Sequence, residues 1–266
     1  MTARSGRGQR PAPSPSTQSG ERIAKRLARA GLCSRREAER WIAEGRVAVD
    51  GKVLTSPAVT VSETALITVD GKPVGEAERA RLWRYNKPKG LVCAAQDARG
   101  RPTIFEKLPK ELPRVMPAGS LDPNAEGLML LTNDGGLKRH LELPATGWVR
   151  RYRARVFGPV DEAALAALAK GARIAGVAYG PIEAVLERRG KSNSWLVVAL
   201  AEGKNREVRR VLEHLKLSVS RLIRIAYGPF QLGNLAEGEI AEVTGKVLRE
   251  QTGGAFAAPE KRQRTR

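Results

Sequence analysis

The stretch AGSLDPNAEGLMLLTNDGG, Ala118 to Gly136, sets an aspartate, Asp122, in a Gly-Ser turn just ahead of an apolar run, Leu128 to Leu131. A short continuous apolar run bounded by turn residues predicts a buried strand. An acid at the mouth of such a strand either shapes the turn or is a reactive group held at the rim of a core. Two other acids lie close by. Glu126 precedes Gly127 at the strand entry and Asp134 belongs to the turn Asn133-Asp134-Gly135-Gly136, so both read as structural. For Asp122 composition alone leaves the two roles evenly balanced.

Outward from this stretch the texture mixes strands and helices, which predicts an α+β domain. LWRYNKPKGLVCAA reads as two strands around the Lys87-Pro88-Lys89-Gly90 turn, and WVRRYRARVFG as a long strand with alternating basic residues. DEAALAALAKG predicts a helix, and VLERRG with SWLVVAL a hairpin. In GKNREVRRVLEHLKL the apolar residues Val208, Val211, Leu212 and Leu215 repeat at helical spacing and leave Arg206, Arg209 and Arg210 for the other faces.

The amino-terminal part has a different grammar. In ERIAKRLARAGLCSRREAERWIAEGRVAVDGKVL, Ile23, Leu27 and Ala30 share a helical face and Gly31 supplies a stop. Ser34 and Glu37 form a capping box that opens a second helix, ended by Gly45. Val47 and Val49 alternate as in a strand, Asp50-Gly51 signals a hairpin turn before Val53, and Asp70-Gly71 repeats the signal. Arg35 and Arg36 occupy the first turn of the second helix, where the helix dipole disfavours cations by about 0.3–1 kcal/mol each. A phosphate at that helix start explains them. Lys25, Arg26, Arg29, Arg40 and Arg46 extend the basic surface.

Charge over the whole chain agrees with a polyanionic partner. Lys and Arg number 47 against 28 Asp and Glu, a formal net charge of +19 in 266 residues, with cations recurring inside the structured segments. The expected organisation is a basic disordered arm over 1–20, a small domain over 21–76, a larger one over 80–248 and a basic disordered tail over 249–266. Two cysteines, Cys33 and Cys93, furnish neither a disulfide framework nor a four-ligand zinc site and suit a reducing compartment. No apolar stretch approaches the ~20 residues of a membrane span and no signal-peptide core is present, so the expected location is cytoplasmic.

Known catalytic patterns are mostly missing. His140 and His214 have poor ligand spacing and suit neither a metal centre nor a nucleophile–histidine triad, and no phosphate loop or dinucleotide fingerprint occurs. No metal or cofactor is therefore expected. A carboxylate remains as a possible nucleophile, if a cation keeps it ionised where water is excluded.

Two resemblances sharpen this reading. The segment from Glu21 to about Val74, above all RLARAGLCSRREAERWI followed by GRVAVDGKVL, is similar to S4-type RNA-binding domains. GSLDPNAEGLMLLTNDGG, preceded by NKPKGLVCAAQDARGRPTIFEKLP and followed by RRYRARVFG and AEGKNREVRRVLEHLKLSVSRLIRIAYGPFQLG, resembles the rRNA pseudouridine synthases that carry an amino-terminal S4 domain. It is closest to those acting on large-subunit, 23S, rRNA. The resemblance implies a mainly antiparallel mixed sheet, a monomer, and isomerisation of an rRNA uridine without metal or cofactor. It implies that Asp122 is the catalytic aspartate, Tyr152 an active-site tyrosine stacking on the base, and Lys204 the cation paired with the aspartate. The carboxylate would attack either the ribose anomeric carbon or carbon 6 of the uracil. Lys87, Arg99, Arg101, Arg206, Arg209 and Arg210 are expected to face RNA. The family pattern Gly-Arg-Leu-Asp, with a threonine three residues beyond the aspartate, has Ser120 and Ala125 here. Either a neighbour such as Arg99, Arg101 or Arg114 replaces the missing arginine or activity is weakened, the alternative being a catalytically silent rRNA-binding or ribosome-assembly factor.

Overall fold

A computed structural model describes residues 20–76 and 78–256, and the chain divides into two units between Ala77 and Glu78. The expected basic arm, apart from Gly20, and the last ten residues of the expected tail lie outside the described residues.

The first unit runs β1 (Glu21–Arg22), α1 (Ile23–Arg29), α2 (Arg35–Ala43), β2 (Val47–Val49), β3 (Lys52–Val53), β4 (Thr60–Val61), β5 (Ile67–Val69) and β6 (Lys72–Pro73). The predicted capping box opens α2: the Ser34 hydroxyl accepts from the Glu37 amide at 3.1 Å and the Glu37 carboxylate from the Ser34 amide at 3.3 Å. Antiparallel strands in the order β3-β2-β5-β6 form a small sheet, and β1 pairs separately with β4. Both Asp-Gly turns adopt positive φ at both residues, which a two-residue hairpin with the right-handed strand twist requires. Ile23, Leu27, Ala38, Ile42, Val47 and Ile67 close a core beneath the helices.

The second unit is larger. Its elements are β7 (Leu82–Lys87), β8 (Met116–Ala118), β9 (Glu126–Thr132), α3 (Gly135–Glu142), β10 (Arg150–Phe157), α4 (Glu162–Ala167), β11 (Ala172–Ile174), β12 (Val177–Tyr179), β13 (Ile182–Arg188), β14 (Asn193–Leu200), α5 (Glu207–His214), β15 (Ser218–Tyr227), β16 (Phe230–Gln231), β17 (Ile240–Glu242) and α6 (Gly245–Gln251). The main sheet has the order β13-β14-β10-β15-β9-β7-β17, with β8 on β9 and β16 on β15. Every pairing in it is antiparallel except β15 with β9. The run Leu128–Leu131 is fully buried in β9, as expected of a strand covered on both faces. Met129 and Leu131 join the core that contains Leu165 of α4 and Val208, Val211 and Leu212 of α5. Leu128 and Leu130 join the opposite core, with Leu137 and Leu141 of α3 and Leu248 of α6.

Two expectations fail here. The second strand predicted in LWRYNKPKGLVCAA is absent apart from one bridge, Val92 with Thr103. Both edges of β7 are already taken by β9 and β17, so the chain after Gly90 cannot fold back onto it. The tail expected from 249 also begins too early: α6 continues through Gln251, Thr252 is buried, and Phe256 packs against the core of Leu137 and Leu248 and against the His140 ring. The apolar residues of this segment have a face to cover, which composition alone does not reveal.

Candidate active site

Asp122 sits in a tight turn between β8 and β9. Its carboxylate accepts from the Asn124 amide at 2.9 Å, and its carbonyl from the Ala125 amide at 3.0 Å. The turn is entered through Gly119, in the left-handed region at φ 66°. A Cβ on Gly119 would lie against the ring of the fully buried Tyr227, 2.9 Å from Cζ and 3.0 Å from the hydroxyl oxygen. Only glycine satisfies both the backbone angle and this approach.

Three buried cations hold the turn from below and beside. Lys87, the last residue of β7, is fully buried, and its ammonium donates to the carbonyls of Pro88 and Ala125 at 2.9 Å and Pro123 at 3.4 Å. Burial pulls the Lys87 ammonium below the usual lysine range, and the charges of Asp122 and Glu126 pull it back. Arg224 of β15 donates Nε–H to the Leu128 carbonyl at 2.7 Å and Nη2–H to the Gly119 carbonyl at 2.6 Å. Arg209 of α5 is nearly buried. It donates to the carbonyls of Val219 at 2.8 Å and Asn124 at 2.9 Å, and its Nε stands 3.5 Å from an Asp122 carboxylate oxygen.

A fourth cation completes the electrostatics. Arg206, which caps α5 in the left-handed region at φ 52°, brings its guanidinium to 3.9 Å from the other Asp122 oxygen. The carboxylate, with a side-chain exposure of 15%, therefore faces two guanidiniums yet keeps an opening to solvent. A carboxylate fixed on a rigid turn, charge-compensated and reachable from outside is suited to nucleophilic attack.

Tyr152 lies on β10, in register with Arg224 on one side and Val198 on the other, and its ring joins the core cluster of Leu121 and Ala125. It thus reaches the same side of the sheet as the turn. Beside them, the Cys93 thiol donates to the Leu121 carbonyl at 3.1 Å, and an apolar recess of about 380 Å³ is lined by Cys93, Phe105, Leu108, Leu112 and Met116. Neither Asp122, Tyr152 nor Arg209 lines that recess.

Lys204 does not pair with Asp122. Its ammonium is held by the Glu202 carboxylate and the Ala178 carbonyl, the latter at 2.7 Å, and lies over the Tyr179 ring. The Glu202 hydrogen bond raises the Lys204 ammonium above the ordinary lysine range. The position beside the aspartate is filled from the next turn of chain, by Arg209 and Arg206. Two residues expected to face RNA are also corrected: Lys87 and Arg209 are buried and bonded to the Asp122 turn, out of reach of a phosphate. Arg99 and Arg210 are exposed, and Arg101 is exposed but paired with Asp97 at 2.7 Å. Ser120 is exposed as well.

In the first unit Arg35 and Arg36 stand exposed at the start of α2, with no ion pair among the described residues. Lys25 and Arg29 pair with Glu21, Arg40 with Glu37 and Glu44, and Arg46 with Asp70 at 2.6 Å; Arg26 is half-buried. Exposed pairs of this kind contribute about 0–1 kcal/mol each and exchange readily for a phosphate.

Arg224, Tyr227 and Arg150 were not anticipated. The Tyr227 ring lies near both guanidiniums, 4.7 Å from Arg150 and 5.1 Å from Arg224, and its hydroxyl donates to the Leu141 carbonyl and accepts from Arg150, both at 2.8 Å. Strand parity carried a signal for two of the cations. Lys87 follows Trp83 and Tyr85, and Arg224 follows Leu222, at the inward spacing of two, and a cation on the inward face of a buried strand must be bonded to something.

Comparison with known proteins gives the same partition of the chain. Residues 21–67 match the model of the S4 domain, and residues 81–214 match that of the RNA pseudouridylate synthase family. A protein of Rickettsia felis, called an uncharacterized RNA pseudouridine synthase, is 45% identical over 86% of this chain and 99% of its own length. The ribosomal large subunit pseudouridine synthase B of Pasteurella multocida is 42% identical over 80% of this chain and 64% of its own length. A solved pseudouridylate synthase crystal structure superposes with a TM-score of 0.60 at 27% identity, covering 85% of this chain and 96% of that one. The turn, with Lys87 and Arg209 of its buried cations, lies inside the matched segment, on a mixed, mainly antiparallel sheet: this chain belongs to the RNA pseudouridylate synthase family and carries an S4 domain ahead of the synthase domain.

Proposed function

We propose that this protein converts a uridine of large-subunit rRNA to pseudouridine, with Asp122 as the nucleophile. The observation that carries the reading is the Asp122 carboxylate itself, fixed on a turn that Lys87, Arg209 and Arg224 hold by its carbonyls, compensated by guanidiniums at 3.5 and 3.9 Å and still open to solvent. Attack forms a bond from the carboxylate to the anomeric carbon or to carbon 6 of the base. The glycosidic bond from nitrogen breaks, the uracil turns, carbon 5 bonds to the sugar, the bond to the Asp122 oxygen breaks and frees the carboxylate, and the proton on carbon 5 leaves while ring nitrogen 1 takes one up. Tyr152 offers the flat ring for the base and a hydroxyl for that proton. Arg209 takes the pairing role first given to Lys204. The target base must leave its stack, which costs a few kcal/mol and favours loops.

The two departures from the family pattern leave this apparatus in place. Ala125 acts through its carbonyl, bonded to Lys87, and its amide, bonded to Asp122, and both are indifferent to the side chain. Ser120 is exposed, while the cations at the carboxylate come from α5. The names of the large-subunit relatives support an rRNA substrate, and the S4 domain supports RNA binding by backbone and shape. A cytoplasmic monomer fits this work; among the described residues no helix is long and apolar enough to cross a membrane. Asp122→Asn keeps the shape of the turn and removes the nucleophile. Pseudouridine mapping on rRNA from cells carrying only this variant is expected to lack one modification, and normal modification would reject the mechanism.

A further inference from the structure

The sheet that carries the site has a second face. Along β10, Tyr152, Ala154 and Val156 enter the core while the arginines between them and Phe157 turn the other way, and Phe157 is 59% exposed. On that far side α3 and α6 cover the β7 and β9 end, through Leu82, Leu128 and Leu130. At the β10–β14 end the outward side chains of Arg153, Arg155, Phe157, Trp195 and Val197 stay at least partly in solvent.

The register there is unusual. Arg155 stands directly opposite Trp195 on one side and Arg221 on the other. Trp195, half-buried, is also in register with Arg188, and the Arg153 guanidinium lies 4.7 Å over its ring. Arg153 and Arg221 each hold an acid, Glu187 at 2.7 Å and Glu126 at 2.8 Å. Arg155 and Arg188 are exposed, and among the described residues no acid pairs with either guanidinium. Like charges directly opposite across a strand pair are destabilising, so the Arg155–Arg221 pairing costs the free protein stability. An anion between them would reverse that sign.

We propose that this far face is a second RNA-binding surface, separate from the Asp122 site, that takes a single-stranded or looped segment with a base against Phe157 and phosphates on Arg155 and Arg188. Unpaired cations interleaved with accessible aromatic rings are the arrangement that binds a single strand without sequence preference, the rings stacking bases and the cations following the backbone. An acidic protein would find the charges but has no use for a ring set among them. The proposal rests on the reading that the substrate is RNA and extends it: a substrate wrapped around the sheet edge is held at both faces.

The test uses the full chain with Arg155→Glu and Arg188→Glu, and a fluorescein-labelled oligouridylate followed by anisotropy over a salt series. Glutamate at 155 faces Arg221 and turns a repulsive pair into an attractive one, so the fold is retained. Loss of two single-strand phosphate contacts lowers the slope of log affinity against log salt by about 1.4. Phe157→Ala, at an exposed position, weakens binding by about five-fold or more if a base stacks there. Lys170→Glu with Lys246→Glu changes the net charge equally at exposed sites elsewhere and is expected to leave most of the slope intact. An equal drop in that control, or wild-type binding by the Arg155/Arg188 variant, overturns the proposal, the latter leaving the face to an acidic protein partner. Wild-type protein that fails to bind oligouridylate at all would overturn both this proposal and the RNA reading beneath it.

Discussion

Replacing Gly119 by alanine tests whether the turn positions Asp122. The new methyl must sit at φ 66° and against the Tyr227 ring, 2.9 Å from Cζ. The left-handed backbone costs about 1–2 kcal/mol for a residue with a side chain. Pushing a packed side chain aside adds about 1–3 kcal/mol, and Tyr227 cannot yield easily, being bonded to Leu141 and Arg150 and flanked by two guanidiniums. The central expectation is about 3 kcal/mol, which for a domain of this size lowers the melting temperature by roughly 6–12 °C. Because Gly119 is bonded to Arg224 at its carbonyl and to Glu142 at its amide, the displacement passes along the turn to Asp122. A shift of about 1 Å at a reacting group costs about 100-fold in rate. Calorimetry on the full chain reads the first effect, and release of tritium from RNA labelled at carbon 5 of uridine reads the second. The companion variant Gly119→Ala with Tyr227→Leu removes the obstructing ring edge, so its destabilisation falls short of the sum of the single changes by about 1 kcal/mol or more. Melting within about 2 °C of wild type together with unchanged tritium release in Gly119→Ala would refute the reasoning.

Arg209→Met leaves Asp122 without its buried cation and is expected to cost about 3 kcal/mol, at the low end for a broken buried pair because the carboxylate keeps some solvent; an unchanged denaturant midpoint would remove Arg209 as the partner. Arg35→Glu with Arg36→Glu should weaken binding to an rRNA fragment and lower its salt slope by about 1.4–1.8, while the melting temperature holds or rises slightly because acids suit the start of a helix. Identical slopes would show that the start of α2 does not meet phosphate. Glu207 is buried beneath the start of α5, and burial raises its carboxyl above the usual range, so the folded state binds its proton more tightly than the unfolded chain does. The ionised carboxylate therefore opposes folding at neutral pH, and that opposition fades as the pH falls through the raised value toward 4.5. Glu207→Gln, which can still accept from the Lys204 amide, should gain stability at neutral pH and lose that advantage in acid; a gain that is the same at both pH values would contradict the assignment.

Local signals were the most legible part of the sequence. The Ser34–Glu37 box, the Asp50-Gly51 and Asp70-Gly71 turns and the Leu128–Leu131 strand depend on neighbours within a few residues, and each forms where its residues direct. The α5 helix was legible as amphipathic, yet its periodicity assigned Arg209 to an outer face, whereas the residue is buried. What a helix face meets is decided by another segment, here the turn at Asn124, eighty-five positions away. The same limit misplaced Lys204: its sequence neighbour Glu202 and the Tyr179 ring compete for the ammonium and win it from Asp122. The basic segment after α6 was assigned to a tail because charge counts outweigh a few apolar residues, although Leu248 and Phe256 suffice once a partner surface exists.

β15 lies between β10 and β9 in the sheet, and among the described residues no other strand joins those two. Until residues 218–227 are in place, β13-β14-β10 and β9-β7 are separate fragments, each with an open hydrogen-bonding edge facing the gap. A chain made from its amino terminus acquires this strand late, and pairings of such long sequence separation are slow to form. Arg224 arrives with the strand and Arg209 just before it. The carboxylate thus gains its cations in the closing stage of folding, and a nascent or truncated chain that stops before Tyr227 is expected to be silent toward RNA chemistry and prone to associate through its two bare edges. Synthesis and activation coincide: the molecule becomes competent to detach a base only once it has become a finished sheet.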